Sequence, residues 1–287
     1  MKKLIVTDKY NNKKLSKFIF DTFPFLSSNM FFKALRQKDI KINGKRINKD
    51  VSISTDDEIL VYISDEFLSP SSNLDIVYED DNILLINKSS ELEVTGNNSL
   101  TSIVHKKYCN NTFLPMPCHR LDRNTSGLVL FAKNLDSLNI LLNKFKHREI
   151  EKTYLALVYG VPKLKKARLE SFLFKDTKKS IVYISDTFKT GYQNIITSYS
   201  VLKSFDNNSS LLEVQIETGR THQIRAHLAH IGYPIIGDGK YGINSVNKHF
   251  GFKFQQLQAY KLKFTFKSDS GLLDYLNNKC FSIKPIV

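Results

Sequence analysis

A chain of 287 residues in which 41% of side chains are apolar and 24% charged is composed as a folded protein, which excludes disorder as its dominant state. Its 42 Lys and Arg against 28 Asp and Glu leave a formal charge of +14, a field that suits polyanions, nucleic acid first, unless the charge only reflects a Lys-, Asn- and Ile-rich composition. Cys109, Cys118 and Cys280 make no small disulfide framework, and no stretch of about eighteen apolar residues is present, so reduced thiols, a cytoplasmic location and no membrane partner are expected.

The length accommodates a small domain beside a larger one. Residues 13 to 63 read as the small one. Leu15, Phe18, Ile19 and Phe23 fit one face of a short helix. A second helix is predicted after Ser27-Ser28, either of which could cap it, running through Phe31, Phe32 and Leu35. In Ile40-Lys41-Ile42-Asn43-Gly44-Lys45-Arg46-Ile47, the Asn-Gly between alternating residues predicts a hairpin. Ile59 to Ile63 closes the unit as a strand. The first 63 residues hold 13 Lys and Arg against 7 Asp and Glu, so +6 of the +14 lies there. This piece resembles the alpha-L RNA-binding domain of a ribosomal protein and of tyrosyl-tRNA synthetases, with Asp56-Asp57-Glu58 in place of the usual Gly-Asp. That resemblance implies RNA contact through Lys33, Arg36, Lys38, Lys41, Lys45 and Arg46. A helix-rich dimerisation cap is the other reading.

Residues 64 to 73, rich in Ser and Pro and without periodicity, read as a linker. Residues 74 to 287 form the second domain. Its strand-like runs, Ile83 to Ile86, Leu128 to Ala132, Tyr154 to Tyr159, Leu211 to Ile216 and Leu262 to Phe266, show no regular strand-helix alternation. The fold class expected is therefore α+β on a mixed, largely antiparallel sheet, not a doubly wound one.

Two clusters could carry chemistry. In Pro117-Cys118-His119-Arg120-Leu121-Asp122-Arg123-Asn124-Thr125-Ser126-Gly127, a carboxylate lies between two arginines ahead of an apolar strand. Nearby positive charge keeps such an Asp ionised, fit to be nucleophile or base; a surface salt-bridge cluster reads equally well. The second cluster, Glu217-Thr218-Gly219-Arg220-Thr221-His222-Gln223-Ile224-Arg225-Ala226-His227-Leu228, follows a strand and opens a helix striped by Ile224, Leu228 and Ile231 and stopped at Gly232. Free N–H groups beside Arg220, Thr221 and His222 would suit a phosphate. Arg225, one turn on, could pair with a carboxylate from another loop; an ordinary capped helix is the plainer alternative.

Three signals are set aside. Gly237 to Gly242 matches G-x-G-x-x-G, but no helix is predicted from Ile243 to Asn247, so the dinucleotide context is missing. His222, His227 and His230 lack the i, i+4 spacing of a zinc pair, and no metal is expected. Cys118 beside His119 lacks a third orienting group.

Taken together with Lys152-Thr153-Tyr154-Leu155-Ala156-Leu157-Val158-Tyr159-Gly160 and with Gly237-Asp238 and Tyr241-Gly242, the two clusters make residues 74 to 287 resemble the RluA-like pseudouridine synthases. The resemblance implies an isomerase of uridine in RNA that needs no cofactor or metal. Asp122 matches the catalytic aspartate, Arg225 its arginine partner, and Tyr154 the tyrosine that stacks on the flipped uracil and can take part in proton removal. Arg120 matches the arginine that displaces the target nucleotide, a step any enzyme acting on a stacked base needs. Arg123, Arg220, Thr221 and His222 are the other substrate-binding candidates. Departures are Ser89-Ser90 after Lys88, where Pro and Gly are usual, and Gln258 for a usual His; both bear on substrate range. Ribosomal RNA of the large subunit is the expected substrate, with transfer RNA the alternative, and a monomer is expected. A non-catalytic RNA-binding or assembly factor would need a decayed site, and a glycoside hydrolase a second carboxylate.

Overall fold

The computed structural model describes residues 1–23, 26, 28–64 and 74–286. Two compact units divide the chain, Met1–Asn73 and Leu74–Val287. In the first, β1 (Lys2–Ile5) leads to α1 (Leu15–Thr22), α2 (Ser28–Arg36), β2 (Ile40–Ile42), β3 (Lys45–Arg46) and β4 (Glu58–Val61). The sheet order is β1-β4-β2-β3, antiparallel throughout. Asn43 and Gly44 both take positive φ, 48° and 78°, as a two-residue hairpin requires. Leu15, Phe18, Ile19, Phe31 and Leu35 pack on Ile40, Ile59 and Val61, while Phe32 is exposed.

The first twelve residues, outside the predicted 13–63 unit, supply both a strand and core side chains, Val6 and Tyr10. They escaped the sequence reading because β1 is four residues long and half of it is lysine. The predicted cap Ser27 and residues 65–73 of the predicted linker lie outside the described residues.

The second unit carries β5 (Ile76–Glu79), β6 (Ile83–Lys88), α3 (Leu100–Lys107), β7 (Met116–Pro117), β8 (Ser126–Ala132), α4 (Leu135–Lys146), β9 (Ile150–Tyr159), β10 (Lys166–Asp176), β11 (Ile181–Ser185), β12 (Gln193–Phe205), β13 (Ser209–Ile216), α5 (Gln223–His230), α6 (Asn244–Phe250), β14 (Leu257–Phe264) and β15 (Cys280–Ser282). One 11-stranded sheet runs β11-β10-β12-β13-β9-β14-β8-β6-β5, with β15 on β14 and β7 on β8. All pairings are antiparallel except β14 with β8, so the sheet is mixed and largely antiparallel. One face packs Leu84, Ile86, Val129, Ala156 and Val214 against Leu100 and Val104 of α3 and Ile224 and Leu228 of α5. The opposite face packs Ile83, Leu85, Leu128 and Leu130 against Leu141 of α4. The parallel junction is close: Gly127 has φ +115°, and a Cβ there would lie 2.2 Å from the Ala259 carbonyl oxygen. Only glycine fits, at the residue where the loop carrying Asp122 enters β8.

Helix α6 corrects the expectation that nothing helical follows Gly242. It buries no residue, so apolar periodicity could not reveal it. Asn247 holds it instead, accepting from the Gly237 amide at 2.7 Å and donating to the Asp238 carbonyl at 2.9 Å.

Two core histidines set an acid limit on the fold. The His119 Nε2 accepts from the Leu130 amide at 3.1 Å, and burial, reinforced by Lys152, pushes its pKa down to about 3. Burial, reinforced by His230, pushes His227 down to about 4. The unfolded chain binds these protons near pH 6.5 and the folded chain does not, so the stability they carry is complete above about pH 6.5 and is lost as pH falls toward 4 and 3. Melting temperature is expected to begin falling near pH 6, before carboxylates protonate. A flat profile from pH 7 to 5 would contradict this.

Candidate active site

Asp122 sits in the loop ahead of β8, closed by the Thr125 amide donating to its carbonyl at 3.0 Å. Lys88, 1% exposed at the end of β6, braces the loop from behind. Its ammonium donates to the carbonyls of Ser89 and Leu92, each at 2.8 Å, and of Arg123 at 3.1 Å. Burial pulls the Lys88 pKa down to about 8, with the Asp122 charge opposing. The departure at Ser89-Ser90 is built into this brace, since Ser90 Oγ donates to the Asn124 carbonyl at 3.2 Å.

The groups against Asp122, one arginine and one neutral histidine, are not its neighbours in sequence. Arg123 turns away and donates from Nε to the Glu91 carbonyl at 3.2 Å, and Arg120 is exposed on the cleft wall. Among the described residues neither arginine is ion-paired with Asp122: the turn at Arg123 carries its side chain to the Glu91 carbonyl, and Arg120 shares the cleft wall without reaching the carboxylate. Arg225, from α5, donates from NH1 to Asp122 Oδ2 at 3.0 Å, and His222 Nε2 lies 3.9 Å from the same oxygen. Asp122 Oδ1 has no hydrogen-bond partner among the described residues.

Arg225 is itself clamped. Its Nε and NH2 form a fork on the fully buried Asp238, at 2.7 and 2.9 Å. The amides of Lys240 and Tyr241 donate to the same carboxylate at 2.8 and 3.1 Å. Burial alone would push the Asp238 carboxyl up; the Arg225 fork and the two amides outweigh it and hold the group below its ordinary range. The guanidinium also lies over the Tyr241 ring, 5.2 Å from its centroid.

The Tyr241 hydroxyl accepts from the Val182 amide at 2.8 Å and lies 2.9 Å from His222 Nδ1, while Nε2 of that ring faces Asp122. Burial lowers the His222 pKa, Asp122 opposing it, so the ring is neutral at pH 7.

At the predicted phosphate seat beside Arg220, Thr221 and His222, the Arg220 amide is already engaged. Helix α5 starts at Gln223, and His222 before it is left-handed, φ 53°. Gln223 Oε1 accepts from the Arg220 amide at 3.1 Å and from Thr218 Oγ1 at 2.8 Å, while its Nε2 donates to the Ile196 carbonyl at 3.0 Å. The turn's hydrogen-bonding capacity is thus partly spent within the protein.

Two cavities meet at Asp122. An outer cleft of about 550 Å³ is lined by Arg120, Arg123, Lys175, Lys240 and Lys253 among others. An inner recess of about 100 Å³ is lined by Lys152, Tyr154, Ile216, Ile224 and Leu257, with Arg120, Arg220, Thr221, His222 and Arg225. The structure therefore gathers Asp122, Tyr154, Arg225, Arg120, Arg220, Thr221 and His222 around one recess and leaves Arg123 on the outer cleft alone. Tyr154 shares a face of β9 with Ala156 and Val158. Its phenol is pushed up by burial and then by Asp122.

Sequence reasoning missed Lys88, Asp238, Tyr241 and Gln223. A signal existed for Lys88: it continues the alternation that sends Leu84 and Ile86 into the core. Gln258 donates to the Lys284 carbonyl at 3.1 Å and leaves Oε1 buried without a partner. In the first unit Lys33, Arg36, Lys38, Lys45 and Arg46 are exposed, and Lys41 lies over the Tyr62 ring. Among the described residues no group of three or more His, Cys, Asp or Glu is placed to hold a metal ion, and no helix is long and apolar enough to cross a membrane.

Residues 82–230 match the family model described as RNA pseudouridylate synthase. The ribosomal large subunit pseudouridine synthase C of Rickettsia bellii is 35% identical, over 84% of this chain and 86% of its own length. An uncharacterized RNA pseudouridine synthase of Mycoplasma capricolum is 35% identical, over 99% of this chain and 98% of its own. The solved human RNA pseudouridylate synthase domain containing 4 shares the fold, with a TM-score of 0.59 at 24% identity over 73% of this chain and 88% of that one. With more than half of its length inside the family model and relatives aligned across most of it, the chain belongs to the RNA pseudouridylate synthase family and is an isomerase acting on RNA.

Proposed function

We propose that this protein isomerises particular uridines in structured large-subunit ribosomal RNA, with Asp122 as nucleophile, by flipping the target nucleotide and without a cofactor. The observation that carries the reading is the Asp122 carboxylate held through Oδ2 by Arg225 at 3.0 Å, its Oδ1 free, at the mouth of a recess walled by Tyr154. Asp122 attacks C1′ of the ribose as the C1′–N1 bond breaks and the base rotates; C5 then bonds to C1′ as the Asp122–C1′ bond breaks and the carboxylate is released, C5 losing a proton and N1 gaining one. Tyr154 stacks on the extruded base, and Arg120 fills the gap the base leaves in its stack. Cations on the outer cleft take the flanking phosphates. Ribosomal RNA is favoured as substrate by the printed names of relatives such as that of Rickettsia bellii; transfer RNA is the alternative. Residues 74–287 serve as the catalytic domain of a cytoplasmic monomer, joined through 64–73 to an alpha-L RNA-binding domain at 13–63.

Chemical mapping of pseudouridine in RNA from a strain lacking the gene tests this directly. One or a few large-subunit positions are expected to lose the modification; identical maps with and without the gene would favour a non-catalytic assembly factor. The role of the first unit has its own measurement. If Lys33, Arg36, Lys38, Lys41, Lys45 and Arg46 neutralise phosphates, affinity for RNA falls steeply with salt, and changing Lys45 and Arg46 to Ala together shallows the log–log slope by about 1 to 2. An unchanged slope would remove them from the interface.

A further inference from the structure

Tyr154 has a companion on its own face of β9 that the mechanism above leaves idle. Lys152, two residues earlier, lines the inner recess together with Asp122 and Tyr154. Its ammonium lies 5.4 Å from the Phe145 ring centroid and against Gly219, where a Cβ would stand 3.4 Å from Nζ. No carboxylate, carbonyl or hydroxyl among the described residues accepts a hydrogen bond from it. Glu217, the acidic residue of the adjoining turn, is engaged by Arg148 and Arg168. Burial lowers the Lys152 pKa with nothing opposing it. Lys152 is half-buried and opens on the recess, so an ammonium with three donors and no protein acceptor is placed there for an acceptor that arrives with the substrate.

We infer that Lys152 is a substrate-binding residue that donates from Nζ to a carbonyl oxygen of the uracil base and stabilises the base as it leaves the ribose. This rests on the reading of Asp122 as nucleophile. When Asp122 Oδ1 bonds to C1′, the C1′–N1 bond breaks and its electron pair stays with the base. The resulting uracil anion spreads that charge onto its two carbonyl oxygens, where a fixed ammonium gains most. Bonding of C5 to C1′ then uses the anion's electron pair, the Asp122–C1′ bond breaks with its pair returned to the carboxylate, C5 loses its proton and N1 gains one. A phosphate is the poorer occupant, because Ile216, Ile224 and Leu257 give the recess apolar walls suited to a flat ring. Cytosine keeps the C2 carbonyl but presents an amine at C4, so a uridine preference carried by Lys152 marks the C4 oxygen as its acceptor.

The test compares Lys152→Met and Lys152→Arg in the full chain on RNA extracted from a strain lacking the gene, with Asp122→Asn alongside. The Met variant is expected to lose about a hundredfold in kcat, as removal of one such donor does elsewhere, with KM and melting temperature near wild type. The Arg variant should recover most of the rate. In an Asp122→Asn background, Lys152→Met should also abolish any preference in binding for uridine over cytidine at the target. A wild-type kcat in the Met variant, a loss confined to KM, or an equal loss in the Arg variant with a lowered melting temperature would each overturn the inference. If Asp122→Asn is inactive while Lys152→Met is unimpaired, the Lys152 assignment alone falls; if Asp122→Asn keeps the wild-type rate, both fall.

Discussion

Asp122→Asn is expected to abolish pseudouridine formation while RNA binding persists and the melting temperature stays near wild type. The substitution keeps shape and volume. Arg225 retains its fork on Asp238, so the buried guanidinium is not left unpaired. Under the proposed mechanism the loss is the nucleophile itself, since a carboxamide cannot form the bond to C1′ that releases the base. Removal of a covalent nucleophile costs on the order of 10⁴-fold or more in turnover. Single-turnover assays on RNA from a strain lacking the gene, read by chemical mapping, measure it. Turnover at the wild-type rate would mean that Asp122 is a salt-bridge residue, as its sequence surroundings equally allowed. Retained binding in the inactive variant would separate the chemistry from recognition by the cleft and the first unit.

Asp122, Tyr154 and Arg225, which the structure brings to one recess, each sit inside a dense local pattern, so their grouping is legible in the sequence. Their supporting residues were not, since each acts through a partner remote in the chain. Lys88 braces a carbonyl 35 residues later, and Tyr241 reaches Val182 across 59. Asp238 was visible as part of a glycine-bounded motif, but nothing local says that a buried arginine 13 residues earlier consumes it. Strands are most legible where both sides are buried, as in β6 and β8, whose apolar runs are nearly continuous. They are least so in β10 and β12, long antiparallel strands whose outward residues are polar or exposed. Such strands are recognised by pairing, which a single sequence does not display. The flanking arginines mislead for a related reason: adjacency in the chain is not adjacency in space, and the charge that meets Asp122 is Arg225 of α5.

The second large effect follows from the clamp on Arg225. In Asp238→Ala the guanidinium loses both arms of its fork and keeps only the partly open Asp122, while the Lys240 and Tyr241 amides lose their acceptor. Breaking a buried pair by removing one partner costs about 3–5 kcal/mol, because the remaining charge stays buried. For a chain of this size that lowers the melting temperature by roughly 5–8 °C. Activity should fall as well, since the arginine that orients Asp122 Oδ2 is no longer held. Asp238→Asn should be milder, keeping one acceptor oxygen but no charge. Thermal melts and turnover below the melting range check both variants, and an Ala variant melting within a degree or two of wild type would sink the account. Replacing both members of the pair, Arg225→Met with Asp238→Leu, should regain much of the lost stability without regaining turnover. Stability and catalysis would then separate at one residue pair, as expected if the fork exists to aim Arg225 at Asp122 and the fold could be held by apolar packing there instead.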